Sequence, residues 1–129
     1  MLFEGNIQRT ARTNTDFRRV IATGTHSQLV TMSIPPKEDI GSEVHPGTDQ
    51  MLFIVSGAGK AVVNNESVEV TANDVVVVPA GSRHNLINIG TEDLRLFTVY
   101  APPEHKDGTV HARKADALAA EHEHAHTAP

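Results

Sequence analysis

Short runs of apolar and β-branched residues, each ended by turn-forming residues, fill the middle of the chain. Runs of this length between Gly, Pro and Asn are typical of antiparallel β-structure. We interpret Gly57-Ala58-Gly59 as a hairpin turn and Asn64-Asn65 as a two-residue hairpin, since Asn tolerates the positive φ that such turns require. Residues 75–78 and 85–89 are interpreted as buried strands. The predicted strands are residues 28–34, 51–55, 60–63, 75–78, 85–89 and 94–100.

The chain has 129 residues, the length of one ordinary domain, so one fold must carry its function. We expect a single domain over residues 1–116, with its β-rich core at about 17–103, and an Ala- and His-rich tail over 117–129. Alanines between Ala112 and Ala120 favour helix. The sequence therefore predicts an all-β domain followed by a short C-terminal helical extension.

Charge and composition exclude several classes of function. The formal net charge is −5 and aromatic residues make up 4%, whereas nucleic-acid binding favours a basic, aromatic surface. No apolar run is long enough to cross a bilayer, and residues 1–20 lack the apolar core of a secretory signal, so a cytoplasmic protein is expected. We expect a small-molecule partner, no nucleic acid and no membrane.

Four polar residues in the predicted strands form a candidate metal site. The chain has no cysteine, so a metal must be held by His, carboxylate or amide groups. Glu43 and His45 are two apart and project to the same side of a strand. Gln50 follows the bend at 46–48, and His84 follows the turn at 79–81. Two imidazoles, one carboxylate and one amide oxygen suit a divalent metal.

The segment from Lys37 to Gly57 resembles the first cupin motif, which runs Gly, five residues, His-x-His, three or four residues, Glu, six residues, Gly. Lys37 stands at the first Gly, Glu43 at the first His, His45 at the second His and Gln50 at the Glu. The usual three His and one Glu thus become two His, one Glu and one Gln. Glu43 replaces the carboxylate that is lost at Gln50.

Residues 73–88 resemble the second cupin motif, Gly, five residues, Pro-x-Gly, two residues, His, three residues, Asn. Pro79, Gly81, His84 and Asn88 match it, and Asn73 stands at the leading Gly. The chain also resembles small bacterial cupins of uncharacterised function, some labelled mannose-6-phosphate-isomerase-like. Those proteins share a Thr48-Asp49-Gln50 element and an ending at residues 101–105, Ala-Pro-Pro-Glu-His.

The resemblance implies a cupin-type double-stranded β-helix, a jelly-roll barrel with one divalent metal in its lumen. The implied ligands are Glu43, His45, Gln50 and His84, and Mn, Fe, Ni or Zn all suit them. Gln50 could instead bind a metal-bound water. The implied function is a mononuclear metal enzyme of oxygenase or isomerase/lyase type acting on a small polar metabolite. The alternative is a non-enzymatic binding module for a sugar or other small molecule, and a homodimer is expected.

The other histidines are placed outside the site. His26 is expected in a loop, and His105 and His111 are expected to pack against the barrel or a partner subunit rather than line the lumen. His122, His124 and His126 are expected to chelate metal only adventitiously. Phe53, Leu86 and Tyr100 are expected to face the lumen and shape the pocket.

Overall fold

Ten strands and two helices make up the described part of the chain. The structure is a computed structural model that describes residues 3–127, and side chains for residues 3–121. The elements are α1 (Ile7–Thr13), β1 (Arg18–Thr23), β2 (Gln28–Ile34), β3 (Glu43–Val44), β4 (Asp49–Ser56), β5 (Ala58–Val63), β6 (Glu66–Thr71), β7 (Val75–Val78), β8 (Arg83–Asn88), β9 (Leu94–Ala101), β10 (Val110–His111) and α2 (Lys114–Thr127).

Two antiparallel sheets enclose the core. One has the strand order β10-β1-β2-β9-β4-β7 and the other β3-β8-β5-β6. Strand β9 alternates strictly between the buried lumen and the outside, with Leu94, Leu96, Thr98 and Tyr100 buried. The all-β jelly-roll prediction and the short C-terminal helix are confirmed. The sequence analysis divided the chain into a domain over 1–116 and a tail over 117–129. Helix α2 begins at Lys114 and continues across this boundary, and the division remains a prediction.

The first strand and the last strand meet on one side of the barrel. Strand β1 pairs with β2 and with β10, and Arg18 lies opposite His111 in that second pair. Helix α1, which the sequence analysis did not predict, contacts β2, β4 and β9. It is only about two turns long, and its start is fixed by Asn6, whose Oδ1 accepts the Arg9 backbone N–H at 2.9 Å.

Strands 28–34 and 75–78 were predicted with their observed bounds, and the hairpin at Asn64-Asn65 is confirmed, with Asn64 at φ 55°. The interpretation of 75–78 as buried is wrong. It is β7, an edge strand whose Val75 and Val77 are exposed. The sequence gives no sign that β7 is half-exposed, because a continuous run of valines lacks the alternation of apolar and polar residues that such strands usually have.

The hairpin predicted at Gly57-Ala58-Gly59 is also wrong, because β4 and β5 belong to different sheets. The segment is instead the corner at which the chain crosses from one sheet to the other. Gly57 has φ +93°, and a Cβ there would lie 2.8 Å from the Asp93 carbonyl oxygen. Only glycine fits this corner without strain. No helix in the described part of the chain is long and apolar enough to cross a bilayer.

Candidate metal centre

Backbone register brings three of the predicted ligands to one place. Glu43 lies directly opposite His84 in the pairing of β3 with β8, so their side chains share a face. His45 follows β3, with its Nε2 3.2 Å from Glu43 Oε2 and its ring centroid 5.2 Å from that of His84. The turn at 79–81 is tied to this strand end, because the Gly81 N–H donates to the His45 carbonyl at 2.9 Å. The expectation that Glu43 and His45 project together is met.

His45 lies between two carboxylates. Its Nε2 faces Glu43 Oε2, and its Nδ1 is 2.8 Å from Glu104 Oε1. The hydrogen bond to Glu43 raises the pKa of His45 above its ordinary value, burial opposes this, and the charge of Glu104 reinforces it. Carboxylates only accept hydrogen bonds, so both ring nitrogens carry protons in this arrangement. A metal would take the place of the Nε2 proton.

Glu43 is half-buried and stays ionised. Burial opposes ionisation, but the contact with His45 and the charge of Arg18 outweigh it, so the pKa of Glu43 is lower than usual. Arg18 NH2 is 3.8 Å from Glu43 Oε1. The carboxylate is therefore available as a negatively charged ligand at neutral pH.

His84 is held in the tautomer that a ligand needs. Its Nδ1 lies 3.1 Å from the Ser82 carbonyl oxygen, which can only accept, so Nδ1 carries the proton. The neutral ring then has its lone pair on Nε2. A backbone carbonyl in this position is the usual partner of a metal-binding histidine.

Gln50 presents an unused amide oxygen. Its Nε2 donates to Thr98 Oγ1 at 3.1 Å, whereas its Oε1 is buried and has no hydrogen-bond partner among the described residues. A buried carbonyl oxygen without a partner costs roughly 1–3 kcal/mol. A cation or a water bound to one would supply the missing partner.

The four predicted ligands fit a divalent metal in their chemistry, although they are not arranged as a finished site. Among the described residues, no three His, Asp or Glu side chains are grouped closely enough to hold a metal ion. The free oxygen of Gln50, the tautomer of His84 and the facing donor atoms of Glu43 and His45 are nevertheless the features that such a centre uses. For a metal to bind between Glu43 and His45, the proton on His45 Nε2 would have to leave, because the metal needs the lone pair of that nitrogen.

A buried glutamine on β2 positions the segment that follows β9. Gln28 Oε1 accepts the backbone N–H groups of Glu104 and His105 at 3.3 and 3.0 Å, and its Nε2 donates to the His105 carbonyl at 2.7 Å. Thr48 Oγ1 donates to Glu104 Oε2 at 3.3 Å. These contacts hold Glu104 against His45.

Next to Glu43 and His45 lies an open cavity of about 510 Å³, here called the mouth cavity, which α2 and the segment before β10 border. Arg18, Glu104, His105 and His111 line it. His105 packs against the barrel, as expected, with its ring edge-on to Tyr100. Both histidines also line the mouth cavity, which the sequence analysis did not predict. Sequence reasoning missed this because the fold of residues 104–111 back onto β1 depends on Gln28 and on the β1–β10 pairing, which no local pattern shows.

Arg18 and Glu104 were not predicted as site residues. Arg18 and Val20 both point inward on β1, whereas Arg19 between them is exposed. An arginine on the inward side of a strand is unusual, and its place in this alternating pattern was the signal that could have identified it. Glu104 lies in the shared ending at residues 101–105, but its partner His45 is distant in sequence.

Two of the three predicted lumen residues are placed correctly. Leu86 is fully buried, and Tyr100 is buried with its ring edge-on to His45 at 5.8 Å and to His105 at 5.0 Å. Burial raises the pKa of the Tyr100 phenol. Phe53 was wrongly placed, because it alternates with the inward residues of β4 and stacks on Phe97 at 4.8 Å on the outer face. His26 is an exposed loop residue, as expected, and the side chains of His122, His124 and His126 lie outside the described residues.

The cupin domain family matches residues 30–100, more than half of the chain. The chain is a cupin. The crystal structure of BH2720 from Bacillus halodurans superposes on this cupin with a TM-score of 0.89 at 41% identity, covering 91% of this chain and 93% of the other.

Two curated relatives extend the comparison. This cupin is 45% identical over 125 residues to the uncharacterized protein YrkC of Bacillus subtilis, covering 92% of this chain and 67% of that protein. It is 31% identical over 68 residues to a protein of Thermotoga maritima named oxalate-binding protein, covering 53% of this chain and 56% of that protein. The first relative is similar along nearly the whole cupin chain, and the second is similar over about half of it.

Proposed function

We propose that this cupin binds one divalent metal ion in its lumen and uses it to act on a small polar metabolite that enters through the mouth cavity. The observation that carries the proposal is the buried Gln50 Oε1, which has no hydrogen-bond partner among the described residues. It is supported by the lowered pKa of Glu43 and by the contact of His84 Nδ1 with the Ser82 carbonyl. Glu43, His45 and His84 would hold the metal, and Gln50 would bind it or its water. Mn²⁺, Fe²⁺, Ni²⁺ and Zn²⁺ all suit this set.

The proposed activity is that of a mononuclear metal enzyme of oxygenase or isomerase/lyase type. When bound, the metal would supply a Lewis acid or a redox partner for the metabolite. The chain's own residues have separate tasks: Glu104 orients His45, Tyr100 and Leu86 exclude water from the inner side, and Arg18 lines the entrance. The relative named for oxalate supports a small polar ligand.

A second candidate function is a binding module without catalysis. It is favoured by one observation, the engagement of both His45 ring nitrogens by Glu43 and Glu104, which is a stable arrangement without a metal. In that case the barrel holds a small molecule or sugar and the Glu43–His45–Glu104 group contributes hydrogen bonds only.

Metal content is the deciding measurement. The full chain is purified with His122, His124 and His126 replaced by Asn, here called the tail-substituted protein, so that tail chelation does not contribute. Elemental analysis after incubation with Mn²⁺, Fe²⁺, Ni²⁺ or Zn²⁺ is expected to give about one ion per chain. His45→Ala with His84→Ala is expected to abolish it, whereas His26→Ala, an exposed control, leaves it unchanged.

Absence of metal in the tail-substituted protein, with a folded barrel by circular dichroism, would refute the metal proposal and favour the binding module. A metal-loaded protein without turnover on any ligand that raises its melting temperature would refute the enzyme alone. Turnover that survives in the metal-free double variant would also contradict it.

The homodimer and the cytoplasmic location remain proposals. Strand β7 lies at a sheet edge and exposes Val75 and Val77, and pairing of two copies is one way in which such edges are covered. Light scattering on the purified protein measures the mass, for which a dimer is expected. A single-chain mass at micromolar concentration would contradict the dimer.

A further inference from the structure

The mouth cavity contains an arginine that is almost entirely buried. Arg18 is 2% exposed, and its Nε has no hydrogen-bond partner among the described residues. Among the described residues its one ion pair is the 3.8 Å contact with Glu43, and its guanidinium lies 5.4 Å from the Phe17 ring centroid. Because burial of a cation is costly unless its donors are used, this guanidinium has unmet capacity for an anion.

Two histidines of the same cavity carry unmet hydrogen-bonding atoms as well. His105 Nε2 and His111 Nδ1 are buried without a partner among the described residues. His111 lies directly opposite Arg18 in the β1–β10 pairing, so both side chains are on the same face. Three residues that each have an unsatisfied polar atom, from β1, β10 and the segment before it, therefore line one cavity.

The charges around the cavity limit what it can accept. Glu43, Glu104 and Glu121 line it together with the cations Arg18 and Lys106. Burial lowers the pKa of His105 to about 3, with the charge of Arg18 acting in the same direction, so this ring is neutral at pH 7. A dianionic phosphate would meet three carboxylates, whereas a carboxylate carries one charge and matches the flat fork of a guanidinium.

We propose that the mouth cavity binds the carboxylate group of a small organic acid, with Arg18 as the main donor and His105 and His111 as the hydrogen-bonding partners beside it. This deepens the proposed function, since it names the ligand class of the same lumen. It places the carboxylate on the Arg18 side, with the rest of the molecule extending toward Glu43 and His45. Arg18 is here a specificity residue that touches the ligand.

The neighbouring arginine provides a matched control. Arg19 follows Arg18 on β1 but points outward, with its side chain 53% exposed and 3.5 Å from Asp16. Arg18→Lys keeps the charge but removes the fork and the Nε donor, and Arg19→Lys makes the same change on the outer face. Ala120→Phe narrows the cavity from α2 and leaves Arg18 intact. If Arg18→Lys does not fold, Ala120→Phe still tests whether the ligand binds in the mouth cavity.

The test measures binding of lactate, a monocarboxylate with one negative charge, by calorimetry and by thermal shift, with the neutral isostere lactamide and inorganic phosphate as comparisons. Each protein is studied both metal-depleted and loaded with Mn²⁺, and its metal content is measured in parallel. We expect lactate to bind the parent and Arg19→Lys in both forms, with at least about tenfold weaker binding in Arg18→Lys and Ala120→Phe. Lactamide and phosphate are expected to bind at least about tenfold more weakly than lactate.

Three results would overturn the inference. Equal binding of lactamide or phosphate would show that the cavity does not select a carboxylate. Lactate binding only in the Mn²⁺-loaded form, unchanged by Arg18→Lys, would assign the carboxylate to the metal and leave the proposed function intact. Metal uptake without lactate binding would likewise overturn this inference alone, whereas loss of metal uptake with lactate binding retained would support it and refute the metal proposal.

Discussion

His45 Nδ1 donates a hydrogen bond of 2.8 Å to Glu104 Oε1, which ties the entrance of the barrel to the segment that follows its last long strand. A carboxylate behind a histidine fixes the orientation of the ring and raises its basicity as a ligand. Glu104 is therefore a positioning residue for the metal proposed at His45 Nε2. It acts together with Gln28, which holds its backbone.

Glu104→Gln tests this relationship. The variant keeps the shape of the side chain but removes its charge, so we expect Mn²⁺ affinity to fall by about 10- to 100-fold while the protein stays folded. Calorimetric titration of the tail-substituted protein measures this. Glu66→Gln, at the exposed end of the β5–β6 hairpin, is the control and should bind as the parent does. Unchanged affinity in Glu104→Gln would show that the carboxylate does not support His45.

Two polar residues of β2 are expected to respond in opposite ways. Gln28→Met removes the hydrogen bonds to Glu104 and His105, so the free energy of unfolding should fall by about 2–4 kcal/mol. Thr31 has a buried Oγ1 without a partner among the described residues, so Thr31→Val should be neutral or stabilising by up to about 1 kcal/mol. Urea unfolding of both variants measures the difference, and similar losses would contradict the prediction.

The leading glycine of each cupin motif is replaced here by a residue with positive φ. Lys37 has φ 70° and Asn73 has φ 74°, and a lysine in this region is strained by roughly 1 kcal/mol. Lys37→Gly should therefore stabilise the protein by up to about 1 kcal/mol, and Asn73→Gly by less, since Asn tolerates this conformation. Thermal unfolding at pH 7 measures both, and a destabilised Lys37→Gly would indicate that its side chain contributes more than the strain costs.

His105 should make the metal-depleted protein less stable in acid. Its pKa is lowered to about 3 in the folded chain, against 6.5 as the ordinary value, so the unfolded chain holds the extra proton between these limits. Stability is full above pH 6.5 and declines below it, by at most about 1.4 kcal/mol per pH unit. Between pH 7 and pH 5, His105→Asn should lose about 1–2 kcal/mol less than the parent in urea unfolding. His26→Asn should lose as much as the parent, and the same loss in all three would contradict the assignment.

The sequence predicted those parts of the structure that depend on local patterns. Strands 28–34 and 75–78, the Asn64-Asn65 turn and the common location of Glu43, His45 and His84 follow from alternation, turn residues and motif spacing. The errors concern long-range placement. Whether Val75–Val78 lies at an edge, and whether the corner at Gly57 closes a hairpin, depends on which strands pair across the barrel.

The same limit applies to the site. Its donor residues were predicted because they lie at fixed spacings in two motifs, whereas Arg18, Glu104, His105 and His111 meet only through tertiary contacts. His111 reaches the cavity by pairing of a two-residue strand with β1, and His105 reaches it through hydrogen bonds to Gln28. Neither interaction has a periodic signature in the sequence.

The residues around the proposed site come from two parts of the chain, the matched cupin range and the flanking segments that the pairing of β1 with β10 joins. The cupin family matches residues 30–100, which contain Glu43, His45, Gln50 and His84, while Arg18, Glu104, His105 and His111 all lie outside that range. In the proposed function, the barrel would supply the metal ligands, and the segments on either side of the matched range would supply the residues that select the ligand. Such an arrangement would allow ligand specificity to change independently of the centre, because a different pair of flanking segments would place different side chains around the same metal ligands.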